Sequence, residues 1–528
     1  MPFRDLQQFI AELDKRDQLR RVRAEVDPVL EITEIADRVM KSPSPEGLAG
    51  APATDPVHGG CGGRGLLFER VRGSSMPVAI NLFGSYARIK LALGCDDLEA
   101  LAARVQQLVK PEMPASLLAK MKKLPDLVKL AGYAPKVGRR GICQEVVEKE
   151  RASLHALPIL QCWPHDGDLA SEPPEPDGRP THAGVVEAPG AEGRTGRYIT
   201  LGGVYTKDPE TGDRNVGMYR VQVFGEKLAA MHWHMHHDGA RHYRKWAARG
   251  EAMPVAIALG GESVLPYAAT CPLPPGVSEL LFAGFLNDGA IELVPAVSVP
   301  LEVPANAEIV IEGWVDPKQR FIEGPFGDHT GFYSLSGTYP VLRVTAITHR
   351  RDPVYPATIV GKPPMEDYYL GKATERIFLP LLQMMVPDVI DYDLPQFGAF
   401  HNCVFVKIRK EYPYQARRVM SALWGAGQMS FCKIIVVVDE DVDVHNEQDV
   451  LFHVGANVDP RRDVVIVDGP LDILDHASPV EGAGSKMGID ATRKIAGEGT
   501  IRRWPAELEM SEAIKQQVTR RWPELGID

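Results

Sequence analysis

The feature that most restricts the fold is a long middle section that reads as short strands. Between about residues 155 and 350, apolar β-type runs are separated by clusters of Gly, Pro and Asp. Short strands at this spacing are typical of a barrel or a sandwich. The predicted strands cover 198–204, 218–223, 255–259, 308–315 and 341–348, and helical patterns over 241–248 and 278–286 interrupt them.

The sequence before this section alternates between helix and strand patterns. Leu6, Phe9, Ile10 and Leu13 recur at helical spacing, which predicts an amphipathic helix over 5–19. The other elements predicted there are a helix over 32–39, strands over 65–68 and 77–82, and a helical pattern over 96–130.

The last third is predicted to be a second α/β unit. Residues 433–439 and 463–467 are continuous apolar runs, and 447–454 between them has a helical pattern. A strand–helix–strand unit of this kind favours a buried, parallel sheet. The charged tail ends in a helical pattern over 507–518, which we expect to pack on another subunit.

Length and pattern together predict several domains. At about 100–200 residues per domain, a chain of 528 residues forms three domains, with four as the alternative. The changes of pattern predict an N-terminal α/β domain over 1–130, a β-rich domain over 131–350 and a C-terminal α/β domain over 351–528. The expected fold class is therefore α+β, multidomain.

Charge, cysteine content and hydropathy limit what the protein can bind and where it is expected to work. The net charge of −11 leaves no basic excess to displace counterions from phosphates, so we expect no nucleic-acid partner. The seven cysteines include no CxxC pair, which speaks against a disulfide framework and favours a reducing compartment. No apolar run resembles a signal peptide or a transmembrane segment. We expect a cytoplasmic protein.

The first segment with candidate chemistry runs from Arg214 to Arg220. Asn215 follows a turn, and Arg220 lies five residues further on, inside a predicted strand. Residues at this separation lie on opposite faces of a regular strand unless a bulge intervenes. The simpler interpretation is a turn asparagine and a surface arginine.

The second segment is rich in histidine. On a strand, His232, His234 and His236 would share one face, and neutral imidazoles are good ligands for a divalent metal. The alternative interpretation is a partly exposed histidine-rich strand without a metal.

The third segment places two carboxylates among glycines and aromatic residues. Glu323 and Asp328 are five residues apart, with Phe326, Phe332 and Tyr333 close by. Glycines allow the backbone to approach a ligand, and apolar neighbours raise the pKa of a carboxyl group toward the range useful for proton transfer. The alternative is a plain acidic turn, which rarely needs so many aromatic neighbours.

Four motifs in the same order resemble those of the UbiD-like decarboxylases, which depend on prenylated FMN. They are EGPFGDHTGFY at 323–333, NVGMYR at 215–220, VSE at 277–279 followed by FAG at 282–284, and SPVEGAGSKMGID at 478–490. The resemblance implies an N-terminal α/β domain, a central split β-barrel that is similar to flavin reductases and holds the cofactor, and a C-terminal oligomerisation domain.

The resemblance also implies a cofactor and metal site. Members of the family use a divalent cation, usually Mn²⁺, between the protein and the cofactor phosphate, with K⁺ nearby. The matching metal ligands are Asn215, His236 and Glu279. Ala269 and Cys271 stand where small hydroxyl residues are common, so the phosphate contacts stay open. The matching cofactor-binding residues are Met218, Tyr219, Arg220, His232, Trp233, His234, His237, Asp238, Thr270 and Arg417.

The catalytic residues that the resemblance implies are Arg220, Glu323 and Asp328. The modified flavin would hold the electron pair left when CO2 departs. Arg220 would orient the substrate carboxylate through its planar guanidinium, and Glu323 would pair with it. Asp328 would donate a proton to the carbon that lost CO2.

The expected activity is reversible decarboxylation of an aromatic or α,β-unsaturated carboxylic acid. The first candidate substrate is a hydroxybenzoate or naphthoate of ubiquinone or menaquinone biosynthesis. A flavin prenyltransferase would supply the cofactor, and a homodimer or homohexamer is expected. The alternatives are a carboxylase, a non-catalytic subunit of a multi-subunit aromatic carboxylase, and a zinc hydrolase that uses the histidines of 232–237. The last lacks an HExxH motif.

Overall fold

The computed structural model describes residues 2–109, 131–176, 178–179, 181–273, 276–499 and 502–527. Its N-terminal elements are α1 (Leu6–Lys15), β1 (Leu19–Val26), α2 (Glu31–Met40), β2 (Gly65–Val71), β3 (Val78–Ile80), α3 (Tyr86–Leu93) and α4 (Leu98–Val109), joined by β18 (Tyr355–Ala357) from later in the chain. The strands form one sheet of order β1-β2-β3-β18, in which only the β2–β3 pair is antiparallel.

Local sequence signals account for the helices of this part. The carboxylate of Asp5 accepts a hydrogen bond from the N–H of Gln8 at the start of α1, and the hydroxyl of Ser85 does the same for Arg88 at the start of α3. The predicted apolar face of α1 is buried. The helical pattern over 96–130 corresponds to α4, and its part over 110–130 lies outside the described residues.

The central part is a nine-stranded sheet that curls into a half-barrel. Its strands are β5 (Val146–Glu148), β6 (Tyr198–Ile199), β7 (Gly203–Lys207), β8 (Arg214–Met218), β9 (Val221–Gly225), β10 (Leu228–Met231), β11 (Met253–Gly260), β14 (Ala307–Glu323) and β17 (Gly337–His349). Their order is β6-β9-β10-β17-β14-β11-β7-β8, with β5 paired to β17. This sheet confirms the predicted β-rich centre.

Smaller elements surround the half-barrel. A three-stranded sheet and a short hairpin are formed by β4 (Lys136–Val137), β12 (Glu292–Pro295) and β13 (Glu302–Pro304), and by β15 (Phe326–Gly327) and β16 (Tyr333–Ser334). The helices are α5 (Asp238–Arg249), α6 (Leu265–Ala268) and α7 (Glu279–Leu286). Two hydrophobic cores contain residues of both the N-terminal and the central sheet, so these two parts pack as one body.

Two predicted central strands were wrong as single strands. Residues 198–204 divide into β6 and the start of β7, and residues 218–223 divide into the end of β8 and the start of β9. The cause is the curl: β6 pairs with β9, whereas β7 pairs with β8 and β11, so the chain must cross between the two ends of the sheet. Gly202 permits one crossing, since a Cβ there would lie 2.7 Å from Cγ2 of Ile257.

The C-terminal part contains a five-stranded sheet with its own cores on both faces. Its elements are α8 (Glu366–Met385), β19 (Val389–Asp393), β20 (Cys403–Ile408), α9 (Gln415–Trp424), β21 (Ile434–Asp439), α10 (Glu447–Asn457), α11 (Pro460–Asp463), β22 (Val464–Pro470), β23 (Ala483–Asp490) and α12 (Glu512–Leu525). The sheet order is β19-β20-β21-β23-β22. No helix in the described part of the chain is long and apolar enough to span a bilayer.

The predicted buried, parallel sheet is confirmed at 433–439, since β21 is buried and runs parallel to both β20 and β23, but the prediction was wrong for 463–467. Strand β23 lies between β21 and β22, and β22 runs antiparallel to β23 at the edge of the sheet, where Ile466 is 68% exposed. Strands β22 and β23 are successive in the chain and pair with each other over their whole length in the antiparallel direction. The tail helix α12 begins at Glu512 and has no buried residue, and its packing on another subunit stays a prediction.

A buried ionic cluster ties α8 to the C-terminal sheet. The ammonium of Lys372 lies 3.0 Å from Glu375 and 2.5 Å from Asp393, and His445 lies 3.0 Å from both Asp391 and Asp393. Glu375, Asp393 and His445 are close enough to hold a metal ion. Because the ammonium of Lys372 lies between the two carboxylates, the cluster already contains its own cation.

Candidate active site

Arg220 lies where the chain crosses from β8 to β9. The prediction placed it inside a strand on the face opposite Asn215, but Tyr219 and Arg220 lie between two strands that pair with different partners. The crossing turns the Arg220 side chain into the interior of the half-barrel, where only 7% of it is exposed. The interpretation as a surface arginine is therefore wrong.

The structure brings Arg220, Glu323 and Asp328 into direct contact. Nε and Nη2 of Arg220 donate to the two carboxylate oxygens of Glu323 at 2.8 and 3.0 Å, and Nη1 donates to Oδ2 of Asp328 at 2.5 Å. Glu323 ends β14 and is fully buried, and Asp328 follows β15. Nη2 also donates to the hydroxyl of Ser334, and the guanidinium lies 4.6 Å from the ring centre of Phe326.

This contact keeps all three groups charged. Burial alone would raise the pKa of Glu323, but the charges of Arg220 and His232 lower it to about 2. Burial acts the same way on Asp328, yet the hydrogen bond from His329 and the charge of Arg220 hold its pKa well below the usual range. Burial would lower the pKa of Arg220, but the two carboxylates raise it. The group is a buried cation between two anions.

The histidine segment is not a strand. Strand β10 ends at Met231, and residues 232–237 form an extended segment and a turn that precede α5. Nδ1 of His232 lies 2.7 Å from Glu323, and its Nε2 lies 2.5 Å from Nε2 of His234. His236, predicted on the same face, is exposed and packs 5.1 Å from the ring of Phe431. The three imidazoles therefore do not form the common face that a zinc site would need.

Several predicted cofactor-binding residues surround the crossing at Tyr219. Its ring packs 6.4 Å from Trp233 and 5.0 Å from His237, and the ring of His237 stacks on His234. The backbone N–H of Met218 donates to the carbonyl of Ala269, the residue before Thr270, and the hydroxyl of Thr270 donates to the carbonyl of Tyr267. The indole N–H of Trp233 is buried without a hydrogen-bond partner.

Two of the three predicted metal ligands lie together. Oε2 of Glu279 accepts a hydrogen bond from the N–H of Val216, the residue after Asn215, and burial raises the pKa of Glu279 to about 7. Asn215 is buried. The pKa of Tyr219 is raised to about 12 by burial, and the hydrogen bond with Asn215 partly opposes this rise. His236 lies on the turn described above.

Two other predicted residues differ in position. The guanidinium of Arg417, on α9, lies apart from this group, where it donates to the carbonyl of Arg462 and lies 5.2 Å from the ring of Tyr414. The carboxylate of Asp238 is 46% exposed and pairs with Arg241 at 3.0 Å. Its negative charge also acts on Tyr219 and Glu279 and helps to raise the pKa of each, so Asp238 lies near the cofactor-binding residues.

Sequence reasoning missed residues that come from far along the chain. The ring of Tyr339, on β17, packs 4.4 Å from that of His232. Nδ1 of His329 lies 2.9 Å from Asp328, and its Nε2 lies 2.6 Å from Nε2 of His401. His329 belongs to the motif EGPFGDHTGFY at 323–333, so its contact with Asp328 could be predicted, whereas no motif contains His401.

Comparison with known families agrees with the geometry. Three family models match the chain: the N-terminal domain of 3-octaprenyl-4-hydroxybenzoate carboxy-lyase over 10–108, its Rift-related domain over 136–363 and its C-terminal domain over 368–491. These matches cover most of the 528 residues. The chain belongs to the UbiD family. It is a carboxy-lyase of that class.

Relatives span the full chain. An uncharacterized protein of Aquifex aeolicus is 48% identical over 527 residues, 100% of this chain and 99% of the relative. The vanillic acid decarboxylase of Sedimentibacter hydroxybenzoicus, in its closed form, is 25% identical, with all of both chains covered and a TM-score of 0.78. The UbiD-class enzyme HmfF of Pelotomaculum thermopropionicum, in complex with FMN, is 28% identical, with 95% of this chain and 97% of that chain covered and a TM-score of 0.71. The expected multidomain α+β fold is confirmed.

Proposed function

We propose that this chain catalyses prenylated-FMN-dependent, reversible decarboxylation of an aromatic or α,β-unsaturated carboxylic acid. The observation that carries the proposal is the buried contact of Arg220 with Glu323 and Asp328. Burying three charges is costly, and replacing them with apolar residues is often neutral or stabilising, so their presence points to chemistry. A hydroxybenzoate or naphthoate of quinone biosynthesis is the first substrate to test.

Arg220 has one hydrogen-bond donor left for a substrate carboxylate. A guanidinium has five N–H groups, of which four point to the two carboxylates and to Ser334. The fifth is on Nη1, beside Asp328. A substrate carboxylate bound there would place its neighbouring carbon within reach of Asp328, the proposed proton donor, while Glu323 keeps the guanidinium in a fixed plane.

The residues around Tyr219 fit a flat, polar cofactor. The buried N–H of Trp233 has no partner within the part of the chain that the structure describes, and a ligand acceptor would satisfy it. A Cβ at Gly239 would lie 3.1 Å from that nitrogen and 3.3 Å from the ring of Tyr219, so the glycine keeps this space open. Prenylated FMN, when bound, supplies the electron sink for decarboxylation. We propose that Met218, Tyr219, Trp233 and the neighbouring histidines hold it.

Asn215 and Glu279 fit a divalent cation near the cofactor phosphate. They offer an amide oxygen and a buried carboxylate, both hard ligands that suit Mn²⁺, and a cation would keep Glu279 ionised despite its raised pKa. His236 would complete the set after rotation of its turn. We also propose that a K⁺ ion binds near this divalent cation.

Replacing Glu279 with Gln should weaken Mn²⁺ binding by about tenfold or more, because the side-chain shape is kept and the charge is lost. Free Mn²⁺, measured by electron paramagnetic resonance in titrations of the FMN-loaded protein, reports the affinity. Glu292→Gln, at an exposed position on β12, is the matched control. Equal affinity of the wild type and Glu279→Gln would remove Glu279 from the site.

The proposed activity is tested by producing the chain together with a flavin prenyltransferase, its proposed cofactor supplier. Aromatic acids are then screened for CO2 release and for deuterium exchange into the decarboxylated product. Protein produced without the prenyltransferase is the control. We expect turnover only with the loaded protein. A loaded protein that binds the cofactor but neither releases CO2 nor exchanges deuterium with any acid would instead fit a non-catalytic subunit. We also propose that the protein is cytoplasmic and that it forms a homodimer or a homohexamer.

A further inference from the structure

His329 and His401 form an imidazole pair that joins the central and C-terminal parts of the chain. Their Nε2 atoms are 2.6 Å apart, and Asp328 lies 2.9 Å from Nδ1 of His329 on the other side of that ring. The backbone N–H of His329 also donates to Asp328 at 2.8 Å. Nδ1 of His401 is buried and has no hydrogen-bond partner among the described residues. The three groups form one hydrogen-bonded row, from the Asp328 carboxylate to Nδ1 of His401.

The charges around the two rings determine which nitrogen atoms of His329 and His401 carry protons. Burial opposes protonation of both rings, but the hydrogen bond and charge of Asp328 raise the pKa of His329 to about 9. Burial and the charge of His329 lower the pKa of His401 to about 4. His329 is thus an imidazolium that donates through both nitrogens, and His401 is neutral with a bare Nε2 acceptor.

Several acids act on the pair from other parts of the chain. The negative charges of Asp367 and Asp472 help to raise the pKa of His329, and those of Asp472 and Asp475 oppose the lowering of the pKa of His401. Burial raises the pKa of Asp367 itself to about 7. Asp475 is paired with Lys433 at 2.7 Å. These acids favour a positive charge on the pair, and the proximity of Asp328 decides that His329 carries it.

The turn before His401 is built to present this contact. Ala399 and Phe400 have φ values of 48° and 50°, the left-handed region that residues with a Cβ seldom adopt twice in succession. Such conformations persist where the surrounding structure holds them, often at functional sites. The turn places the Phe400 ring against that of His329, 5.4 Å between centres and 26° between planes, where an aromatic face stabilises the cation.

Decarboxylation requires a proton that an ionised Asp328 does not carry. We propose that His329 stores the proton that Asp328 delivers to the substrate carbon, and that His401 is a positioning residue that keeps His329 charged and directed at Asp328. This inference rests on the proposed decarboxylase function. It adds to that function the source of the proton.

The bond between the substrate carbon and its carboxylate breaks, CO2 leaves, and the electron pair left behind ends in the new C–H bond. The proton on Nδ1 of His329 passes to Asp328, and Asp328 delivers it to that carbon and becomes a carboxylate again. The imidazolium becomes a neutral imidazole, and one proton from solvent restores it, which matches the proton that each decarboxylation consumes.

Histidine-specific NMR titration tests the pair without the cofactor. In protein with ¹³C-labelled histidine rings, the signal that disappears in His329→Gln is assigned to His329. We expect a pKa near 9 in the wild type and a value lower by about one to two pH units in His401→Phe, because the charged N–H loses its acceptor. His401→Gln, whose amide oxygen can accept the same hydrogen bond, should restore it.

The rate profile of the loaded enzyme should follow the titration. Activity is lost as pH rises through the pKa of His329, so the basic limb of kcat should move to lower pH in His401→Phe and return in His401→Gln. His476→Phe, at a neighbouring exposed position that packs on Phe332, is the control and should leave the limb unmoved. An unchanged pKa of His329 in His401→Phe would overturn the inference, whether or not the wild type decarboxylates any acid. If that pKa shifts as expected but no acid is decarboxylated, the proposed function fails, and the storage role fails with it.

Discussion

Asp328→Asn should abolish most of the turnover of the cofactor-loaded enzyme while cofactor binding survives. An amide cannot deliver the proton that the decarboxylated carbon needs, and general acid catalysis is worth roughly 100- to 10,000-fold. Arg220 and His329 contact different oxygens of Asp328, and Asn has an oxygen at only one of these two positions, so one of the two hydrogen bonds is lost. The residues that we propose hold the cofactor are untouched by the change, so the flavin absorption spectrum should be kept.

The measurement is steady-state CO2 release together with deuterium incorporation into the product. Both should fall by the same factor, since the product cannot leave and allow another turnover until its carbon has been protonated. Asp316→Asn, on the surface-facing part of β14, is the matched control. Normal turnover in Asp328→Asn would show that another group is the proton donor, and the storage role of His329 would fall with it.

Much of the fold was predictable because local pattern decides it. The apolar face of α1 and the continuous apolar run of β21 are visible in the sequence as helical spacing and as a buried strand. The Gly, Pro and Asp clusters marked the turns of the central part. The order of fold types along the chain follows from such signals, and the boundaries placed at 130 and 350 stay predictions.

The errors share a physical cause, which is pairing between distant strands. Strand β22 has an apolar sequence but lies at a sheet edge. It pairs with β23, which comes after it in the chain, and the local pattern does not show this pairing. The run 218–223 has unbroken strand pattern, yet the curl of the half-barrel forces a crossing at Tyr219. Local propensity contains no information on either contact.

The candidate site was likewise predictable from the sequence only in part. Arg220, Glu323 and Asp328 were named from motifs that resemble those of a family, and their mutual contact is what the structure adds. His401 reaches His329 from 72 residues away through a turn in an unusual conformation. Neither its spacing nor its neighbours in the sequence indicated that role.

Arg220→Ala should cost stability, cofactor maturation and turnover together. The change strands Glu323, fully buried, beside Asp328 with no cation between them. Removing one partner of a buried ion pair destabilises a protein by about 3–5 kcal/mol. Without the guanidinium, the pKa of each carboxyl group should rise, since burial and the other carboxylate both oppose ionisation.

The pH dependence of stability distinguishes the loss of the buried cation from the effect of a simple cavity at position 220. In the wild type, the depressed pKa of Glu323 gives stability that is fully present above its unfolded value and is lost only as pH falls toward 2. In Arg220→Ala the folded pKa lies above the unfolded value, so protonation stabilises the variant as pH falls. Its deficit in thermal unfolding should therefore shrink between pH 7.5 and pH 5, whereas a cavity would give a deficit that does not change with pH.

A triple variant then separates stability from catalysis. Adding Glu323→Gln and Asp328→Asn to Arg220→Ala removes the two carboxylates that have lost the guanidinium, and thermal unfolding should return most of the way to that of the wild type. Turnover should stay absent, because no group remains to orient the substrate carboxylate or to deliver the proton. Arg220→Lys, with one point charge in place of a planar fork, should keep more stability than Arg220→Ala but little turnover. Full activity in Arg220→Lys would mean that charge alone, without the fixed plane set by Glu323, is sufficient for the reaction.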